Sequence, residues 1–352
     1  MNMIPHSRPT LDQNDYDAVL HVLKSGQIVQ GKEVVRFEKT LSSLIGVSDG
    51  VAVSSGTAAL HLALLSLGLQ KGDEVILPSF VCSAPLHAIA CTGAVPVIAD
   101  IDRSTLNIDV RDLNNRITPK TKAIIVPHLF GMAADMDEIC SFGVPVIEDC
   151  AHSLGSRYRG AFTGGFGDVS IFSFYATKMI AAGEGGMILS SNISLTDTIR
   201  DLRDYDEKDA YRVRYNYKMT DMEAALAFSQ LKKLFSFIEA RRKIAGIYHR
   251  EFQACPFRLP FVLSDRDHIY YRFVVLHDRA ADFITKMNKA GVTCRRPVFK
   301  PLHRYLGLAD YENTDWVWER AVSIPVYPSL TDEEISKIVD AVKLAATNSR
   351  GS

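Results

Sequence analysis

Short apolar runs alternate with helical patterns along the first half of the chain. Seven of these runs are predicted as strands, at 51–53, 75–77, 95–98, 123–126, 145–147, 169–172 and 187–189. Strands that are apolar at every position are typical of a sheet covered by helices on both faces. The pattern therefore predicts a large, mostly parallel α/β domain.

The pattern changes near residue 229, where a long helical stretch begins. The elements expected from there on are a helix over 229–250, a strand over 270–276, a helix near 282–290 and a terminal helix. Thr331 and Glu334 have the spacing of a capping box at the start of the terminal helix. We expect an N-terminal arm over 1–20, a large domain over 21–240 and a smaller α+β domain over 241–352.

The composition is that of a globular protein, and it removes several classes of function. Hydrophobic residues make up 47% and charged residues 23% of the 352 residues, which excludes disordered and fibrous chains. The formal net charge of -1 provides no field that would attract nucleic acid or an anionic membrane. The six cysteines form no CxxC pair and no Cys/His cluster with zinc-ligand spacing, so we expect no metal site. Without a signal peptide or a membrane span in the sequence, we expect a cytoplasmic protein.

Three segments carry candidate chemistry, and the first is the turn Ser54-Ser55-Gly56-Thr57. An apolar strand precedes this turn and an apolar helix follows it. The free N–H groups and the partial positive charge of a helix N-terminus can hold a phosphate. Taken alone, the turn can also be an ordinary helix cap.

The second segment is an apolar strand that ends in Glu148 and Asp149, with His152 three residues after Asp149. A carboxylate at this position can be functional, or it can cap the next helix. The third segment places Lys178 between an apolar strand and a glycine-rich turn at 183–186. This lysine can be a solvated surface charge, or it can lose its proton in a partly desolvated site and form imines.

Together the three segments supply a phosphate cradle, a carboxylate for a pyridinium nitrogen and a Schiff-base lysine. These are the groups needed to hold pyridoxal 5'-phosphate (PLP), whose protonated ring withdraws electrons from the reacting carbon. The sequence therefore predicts a PLP site.

The sequence resembles the DegT/StrS family of PLP-dependent sugar aminotransferases. The motifs that carry the resemblance run in order between about residues 51 and 234: SSGTAALHLALLSLGLQKGDEVILPSF, GAVPVIADID, TKAIIVPHLFG, VIEDCAH, FSFYATK, GEGGM and YNYKMTDMEAALAFSQL. A weaker match continues at PLH, 301–303. The resemblance implies the type I fold of PLP enzymes, with a mainly parallel seven-stranded sheet and a C-terminal domain that helps to close the substrate cleft.

The resemblance also implies roles for single residues. Lys178 would bond to the cofactor and carry the proton between the substrate carbon and the cofactor. Asp149 would pair with the pyridine nitrogen, and His152 would lie near the ring hydroxyl.

By the same resemblance, the phosphate would be held by the amides of Gly56 and Thr57, by the Thr57 hydroxyl and by Ser173. Asn216 matches the asparagine that relatives extend to the phosphate in the partner subunit. The resemblance therefore implies a homodimer with shared active sites.

Two positions depart from the family pattern. Relatives place an aromatic residue over the cofactor face where this chain has Cys82, and an arginine where it has Lys218. Because lysine lacks the two-pronged fork of arginine, substrate recognition is expected to differ. His128 and His303 match positions on the substrate side, and each can also be a structural histidine.

The function implied by the resemblance is ping-pong transamination through PLP and its pyridoxamine 5'-phosphate form. Glutamate or glutamine would donate the amino group to a keto sugar, nucleotide-linked, in amino-sugar or polysaccharide biosynthesis. Two alternatives stay open: a sugar dehydratase of the same family, and a non-catalytic ligand-binding member. Dehydratase relatives replace the lysine with histidine, so the presence of Lys178, with Asp149 and Ser173, favours the aminotransferase.

Overall fold

A seven-stranded sheet forms the centre of the computed structural model, which describes residues 3–347. The strands of the described residues, including those outside this sheet, are β1 (Asp49–Val53), β2 (Glu74–Pro78), β3 (Val95–Ala99), β4 (Thr121–Pro127), β5 (Val146–Asp149), β6 (Arg157–Tyr158), β7 (Ala161–Phe162), β8 (Val169–Ser173), β9 (Gly186–Ser190), β10 (Phe273–Leu276) and β11 (Ala321–Ile324). The sheet has the order β1-β9-β8-β5-β4-β2-β3, and all seven predicted strands are in it. Strand β9 runs antiparallel to both neighbours, and the other neighbouring pairs are parallel. The prediction of a mainly parallel seven-stranded sheet is confirmed.

Helices pack on both faces of the sheet. The helices are α1 (Gln13–Ser25), α2 (Lys32–Ile45), α3 (Gly56–Ser66), α4 (Ala84–Thr92), α5 (Val110–Arg116), α6 (Met136–Ser141), α7 (Ile193–Leu202), α8 (Asp221–Leu231), α9 (Leu234–Glu251), α10 (Ala280–Lys289), α11 (Leu302–Tyr305), α12 (Glu312–Arg320) and α13 (Asp332–Thr347). Successive residues of a strand point to opposite faces. Val51 and Val53 of β1 accordingly pack in one apolar cluster with α3, and Ala52 packs in another with α2.

Helix α3 is held rigidly against the sheet. Every residue from Ala58 to Leu64 is buried, and the helix contacts β8 and β9. Burying one leucine side chain of this kind contributes about 1.5 to 3 kcal/mol. The N-terminus of α3 is thereby fixed at the edge of the sheet where the parallel strands end, which is where ligands bind in such folds.

The helix predicted over 229–250 is two helices. Helix α8 ends at Leu231 and α9 begins at Leu234. Between them, the N–H of Lys233 bonds to the Gln230 carbonyl, and its Nζ lies 2.6 Å from Asp15 Oδ2 and 3.0 Å from Asp12 Oδ2. This tertiary ion pair anchors the break, which the continuous apolar pattern did not reveal.

The C-terminal part has its own apolar core. Strands β10 and β11 pair antiparallel and pack with α9, α10 and α13. The capping box expected at Thr331 is present, because its hydroxyl accepts the Glu334 N–H at 3.1 Å and its own N–H donates to Glu334 Oε2 at 3.0 Å. The division into an arm, a large and a small domain stays a prediction, and residues 1–2 and 348–352 lie outside the described range.

The N-terminal segment packs on this C-terminal core. Ile4 is buried in it, its N–H donates to the Gly291 carbonyl at 2.9 Å, and its carbonyl accepts the Thr293 N–H at 2.9 Å. The two ring nitrogens of His6 contact Arg272 at 3.0 Å and the Ser323 hydroxyl at 2.9 Å. The start of the chain is therefore part of the structure formed by its last third.

None of the helices within residues 3–347 combines the length and the apolar character that crossing a bilayer requires.

Candidate active site

The turn after β1 brings a helix N-terminus next to β8. Ser55 caps α3, and its hydroxyl accepts the Ala58 N–H at 3.1 Å. A methyl group on Gly56 would lie 2.8 Å from Cβ of Ser173, so only glycine allows this approach. Thr57 is exposed in the first turn. Gly56, Thr57 and Ser173 thus surround free N–H groups of the kind that bind phosphate.

Asp149 ends strand β5 as a buried carboxylate with an incomplete set of partners. Oδ1 accepts the Ala151 N–H at 3.0 Å, and Oδ2 has no hydrogen bond to any described residue. Burial raises the pKa of Asp149, and the opposing effects of the Ala151 N–H and the Lys178 charge do not cancel this. Such a carboxylate is stabilised by a cationic donor, for example a protonated pyridine nitrogen.

Lys178 lies in the turn between β8 and β9. Its N–H donates to the Tyr175 carbonyl at 2.8 Å, and the Ala176 N–H donates to the Gly183 carbonyl at 3.1 Å, which closes the turn. Its Nζ lies 5.4 Å from the ring centroid of Tyr271 and forms no ion pair with a residue in the described range. An amine that is partly buried and lacks a carboxylate partner is suited to imine formation.

Three rings stack next to the end of β5. The His152 ring lies 4.3 Å from Tyr271 and 5.9 Å from Phe130, with interplanar angles of 24° and 20°. Burial, reinforced by the Lys178 and Arg272 charges, lowers the pKa of His152 well below its usual range, so the imidazole is neutral. Sequence analysis missed Tyr271 and Phe130 because no local pattern connects either of them with His152.

Cys82 lines a cleft of about 1300 Å³, together with Tyr175 and Arg272. The thiol-bearing residue is exposed. Phe80 is fully buried, and its ring packs 6.2 Å from that of Phe130, so it points away from the cleft. The half-exposed Tyr175, in the same turn as Lys178, is an aromatic residue of the cleft that the motifs did not indicate.

His128 is fully buried and is not among the residues that line the cleft. Its Nε2 lies 2.9 Å from Glu148 Oε2, and its Nδ1 accepts the Ala134 N–H at 3.1 Å. Glu148 also accepts three backbone N–H groups from residues 164–167. With Cys150, these two side chains form a cluster of metal-ligand type within residues 3–347. Since their nitrogen and oxygen atoms already bond to the protein, we assign no metal to it.

His303 likewise bonds to residues of its own chain. Its Nδ1 lies 2.6 Å from the Ser79 hydroxyl and its Nε2 lies 3.2 Å from Asp315. The ring is 2% exposed and stacks on Tyr311 at 4.7 Å. Both histidines therefore have the partners expected of structural histidines, and their assignment to the substrate side stays a prediction.

Asn216 lies at the edge of the site. The neighbouring Tyr217 carbonyl accepts the Ser54 N–H at 2.8 Å, which places this segment beside the turn that precedes α3. Asn216 itself is exposed, and its side chain makes no hydrogen bond with a described residue. Its assignment to a partner subunit stays a prediction.

Lys218 is engaged by two carboxylates of its own chain. Its Nζ lies 2.7 Å from Asp204 Oδ1 and 3.1 Å from Asp206 Oδ2. These contacts neutralise the ammonium group, so the expectation that Lys218 binds the substrate is not supported.

Basic side chains line the cleft from the C-terminal part of the chain, and no carboxylate within residues 3–347 lines it. The basic lining residues are Arg272, Arg295, Arg296, Lys300 and Arg304. Arg304 pairs with Asp315 at 2.6 Å, whereas Arg295, Arg296 and Lys300 have no ion-pair partner in the described part of the chain. The cleft is therefore locally positive although the net charge of the chain is -1.

PLP matches this set of groups. Its phosphate suits the turn at Gly56, where a side chain would fill the space next to Ser173. Its ring nitrogen suits the free oxygen of Asp149, and its aldehyde suits the amine of Lys178.

Comparisons with known proteins identify the family. The profile of the DegT/DnrJ/EryC1/StrS aminotransferase family matches residues 9–343. The chain is 35% identical to the spore coat polysaccharide biosynthesis protein SpsC of Bacillus subtilis (strain 168), over 97% of each chain. It is 33% identical to GDP-perosamine synthase of Vibrio cholerae, over 97% of this chain and 98% of that one. The crystal structure of the aminotransferase TlmJ from Streptoalloteichus hindustanus has a TM-score of 0.94 at 28% identity, covering 98% of this chain and 99% of that one. The chain is an enzyme that belongs to the DegT/DnrJ/EryC1/StrS family of PLP-dependent sugar aminotransferases.

Proposed function

We propose that this enzyme transfers the amino group of glutamate or glutamine to the keto group of a nucleotide-linked sugar, by a ping-pong mechanism. We further propose that it acts in the cytoplasm as a homodimer with shared active sites. The proximity of Asp149 to Lys178, whose charge acts on the Asp149 pKa, carries the reaction type. The positive lining of the neighbouring cleft, which Tyr175 of the Lys178 turn also lines, carries the substrate class.

Asp149 and Lys178 complement each other chemically. PLP, when bound, supplies an electron-withdrawing ring that makes a neighbouring C–H bond acidic. The Asp149 carboxylate keeps the ring nitrogen protonated, because burial strengthens its attraction for a cation. Gly56, Thr57 and Ser173 hold the phosphate and so fix the ring relative to Lys178.

Lys178 moves the protons of both half-reactions. Its Nζ takes the proton from the α-carbon of the amino donor, and in the second half it delivers a proton to the sugar carbon. No carboxylate within residues 3–347 pairs with this amine, so its lone pair is available when it is deprotonated. Neutral His152, fixed between two rings, can hydrogen-bond to the ring hydroxyl without adding charge.

Arg295, Arg296 and Lys300 favour an anionic sugar. Three cations without carboxylate partners in one cleft are stabilised by a diphosphate, and two of them carry the forked guanidinium that bonds to phosphate oxygens. GDP-perosamine synthase, one of the relatives, is named for a nucleotide-linked sugar. Both observations support a nucleoside diphosphate as the group that carries the keto sugar.

Exposed apolar side chains support the dimer. Tyr211 and Val213, shortly before Asn216, are 97% and 63% exposed. On helix α1, Tyr16, Leu20 and Leu23 are each about half exposed. A second copy of the chain would cover such surfaces and bring Asn216 to the neighbouring phosphate turn.

The visible absorbance of the purified protein with PLP tests the reaction type. We expect a band that disappears in Lys178→Ala and remains in Lys243→Ala, an exposed lysine of α9 that serves as the control. Adding glutamate or glutamine should bleach the band and release the matching keto acid. A band that every amino donor leaves unchanged would overturn the proposal.

A panel of keto sugars tests the acceptor. The enzyme is first converted with the amino donor, and free keto sugars are compared with their nucleotide-linked forms. We expect amination of nucleotide-linked forms, weakened when Arg295 and Arg296 are replaced by glutamine. A product that has lost water instead of gaining an amino group would identify the dehydratase alternative.

A further inference from the structure

A second cavity, of about 290 Å³, lies next to the active site. The loop after β3, the turn after β4 and the segments around β10 line it. Phe130 lines this cavity and also stacks on His152, and Arg272 lines both this cavity and the cleft. We call it the Arg258 cavity. It touches two residues of the active site without containing Lys178 or Asp149.

The Arg258 cavity is positive, and no acidic residue of the described part of the chain lines it. Arg103 and Arg258 approach it from different segments, and their guanidinium groups lie 5.2 and 5.1 Å from the ring centroid of Trp316. Arg320 lies on the same ring at 4.7 Å but pairs with Asp278 and Glu319, whereas neither Arg103 nor Arg258 has an ion-pair partner within residues 3–347. Two unpaired guanidinium groups in the lining of one cavity repel each other, and an anion bound to both would reduce that repulsion.

The walls of the Arg258 cavity are largely apolar. The lining includes three buried side chains, those of Leu129, Phe130 and Met132. It also includes Phe261, which is about half exposed. Apolar walls with a few charged groups are typical of sites for small organic ligands. The ligand that fits this lining has an apolar body and one anionic group.

The backbone around the Arg258 cavity is held in unfavourable conformations. Leu106 and Phe130, both in the lining, have φ values of 63° and 57° in the left-handed region. Buried Asn107 maintains them, because its Nδ2 donates to the Met132 and Ala133 carbonyls and its Oδ1 accepts the Leu129 N–H at 2.8 Å. Strained residues that the surrounding structure enforces are concentrated at functional sites.

We propose that the Arg258 cavity is a binding site for a small organic anion, a carboxylate or phosphate ester with an apolar body, and that Arg103 and Arg258 hold the anionic group. The proposal does not depend on which sugar the enzyme aminates. Its ligand can be the outer part of the sugar substrate or a separate molecule, and the two sources share this chemistry.

Fluorescence of Trp316 provides a direct test in the PLP-loaded protein. The chain has two tryptophans, so Trp318→Phe leaves Trp316 as the single reporter. Phenyl phosphate is the probe that carries both the anionic group and the apolar ring. Inorganic phosphate carries the charge alone, and phenol carries the ring alone. We expect saturable binding of phenyl phosphate, at least about tenfold tighter than that of either other probe.

Matched arginine variants locate the binding. Arg103→Gln and Arg258→Gln, at exposed side chains, should each weaken phenyl phosphate by about tenfold or more while the melting temperature is unchanged. Arg295→Gln, an unpaired arginine of the cleft, should leave the affinity unchanged. The proposal is overturned if no saturable binding occurs, if inorganic phosphate or phenol binds equally well, or if only Arg295→Gln reduces the affinity.

Competition separates the two sources of ligand. The phenyl phosphate titration is repeated in the presence of saturating uridine diphosphate. Competition would assign the Arg258 cavity to the outer part of the substrate, and independent binding would assign it to a separate ligand. Either result is compatible with a binding site in the Arg258 cavity, because the existence of that site is tested by the arginine variants and not by the competition.

Discussion

Tyr271 is surrounded by positive charge. Its ring stacks on His152, and Lys178 Nζ and the Arg272 guanidinium lie 5.4 and 4.8 Å from its centroid. Burial by itself would raise the pKa of the phenol. The charges of Lys178 and Arg272, with a hydrogen bond from Thr177, outweigh burial and lower the pKa of Tyr271 to about 8.

This environment leads to a prediction for the cofactor-free protein, in which the Lys178 side chain is not bonded to PLP. We expect one tyrosine to ionise near pH 8 in an ultraviolet titration of phenolate absorbance. The step should be absent in Tyr271→Phe, which keeps the ring stack, and should move to higher pH in Lys178→Ala. Because the folded chain releases this proton at lower pH than the unfolded chain, ionisation stabilises the fold as the pH rises from about 8 to about 10. An unchanged titration in Tyr271→Phe would contradict the assignment.

At the residue scale, the sequence identified groups whose chemistry depends on local motifs. Gly56 and Lys178 follow strands and Asp149 ends one, and the fold places them at the edge where parallel strands end. Tyr271 was not identifiable, because its contact with His152 forms only when distant segments meet. The contact of His128 with Glu148 could not be predicted either, because it forms only in the folded chain.

At the scale of elements, helix α2 depends on a carboxylate that belongs to another helix. Its N-cap, Gly31, has no side chain with which to cap it. Asp221, the first residue of α8, instead accepts the N–H groups of Gly31 at 2.8 Å, Val34 at 3.0 Å and Glu33 at 3.3 Å. A side chain on Gly31 would meet Asp221 Oδ2 at 2.7 Å, so the glycine makes room for this cap.

Removing the cap should destabilise the protein. We expect Asp221→Ala to lower the free energy of unfolding by about 1 to 3 kcal/mol, because it leaves buried N–H groups of α2 unpaired. Asp221→Asn, which keeps one acceptor oxygen, should lower the free energy of unfolding by less. Urea denaturation of the cofactor-free protein measures the change, with Asp197→Ala on the exposed face of α7 as the control. Equal losses in Asp221→Ala and the control would contradict this role.

The hydrophobic pattern of the sequence predicts that a strand or helix exists better than it predicts where that element ends. The strands were predicted because each is apolar and short, and all seven formed. The break between α8 and α9 was not predicted, because the helical pattern continues across both helices. The break is anchored by contacts of Lys233 with Asp12 and Asp15 at the start of α1.

At the scale of the whole molecule, the proposed shared active site makes a prediction that a single chain cannot satisfy. Asn216→Ala should weaken PLP retention, and Lys178→Ala should abolish turnover. If Asn216 acts in the partner's site, a mixed dimer of the two variants contains one site with both residues intact. Equal amounts of the two variants, mixed and reassembled, should then recover about a quarter of the wild-type activity.

Two comparisons make this complementation decisive. Each variant reassembled with itself should stay at its own low level of activity. No recovery in the mixture, or a monomer that retains the cofactor tightly, would show that Asn216 acts within its own chain or not at all.

The sequence was sufficient for the fold and the family, because strand pattern and motif order are properties of the chain itself. It was not sufficient for the positive cleft or for the Arg258 cavity. Arg103 and Arg258 come from segments far apart in a chain whose net charge is -1, and the basic residues at 272–304 meet Cys82 and Tyr175 only on folding.

The attachment of Ile4 and His6 to the C-terminal core has a consequence for the order of synthesis. The ribosome makes these residues long before their partners Gly291, Thr293 and Ser323. Residues 4–6 therefore cannot form these contacts until residues 291–323 have emerged. Since His6 contacts Arg272, which lines both cavities, the newly made enzyme completes its binding surfaces only when residues 4–6 dock.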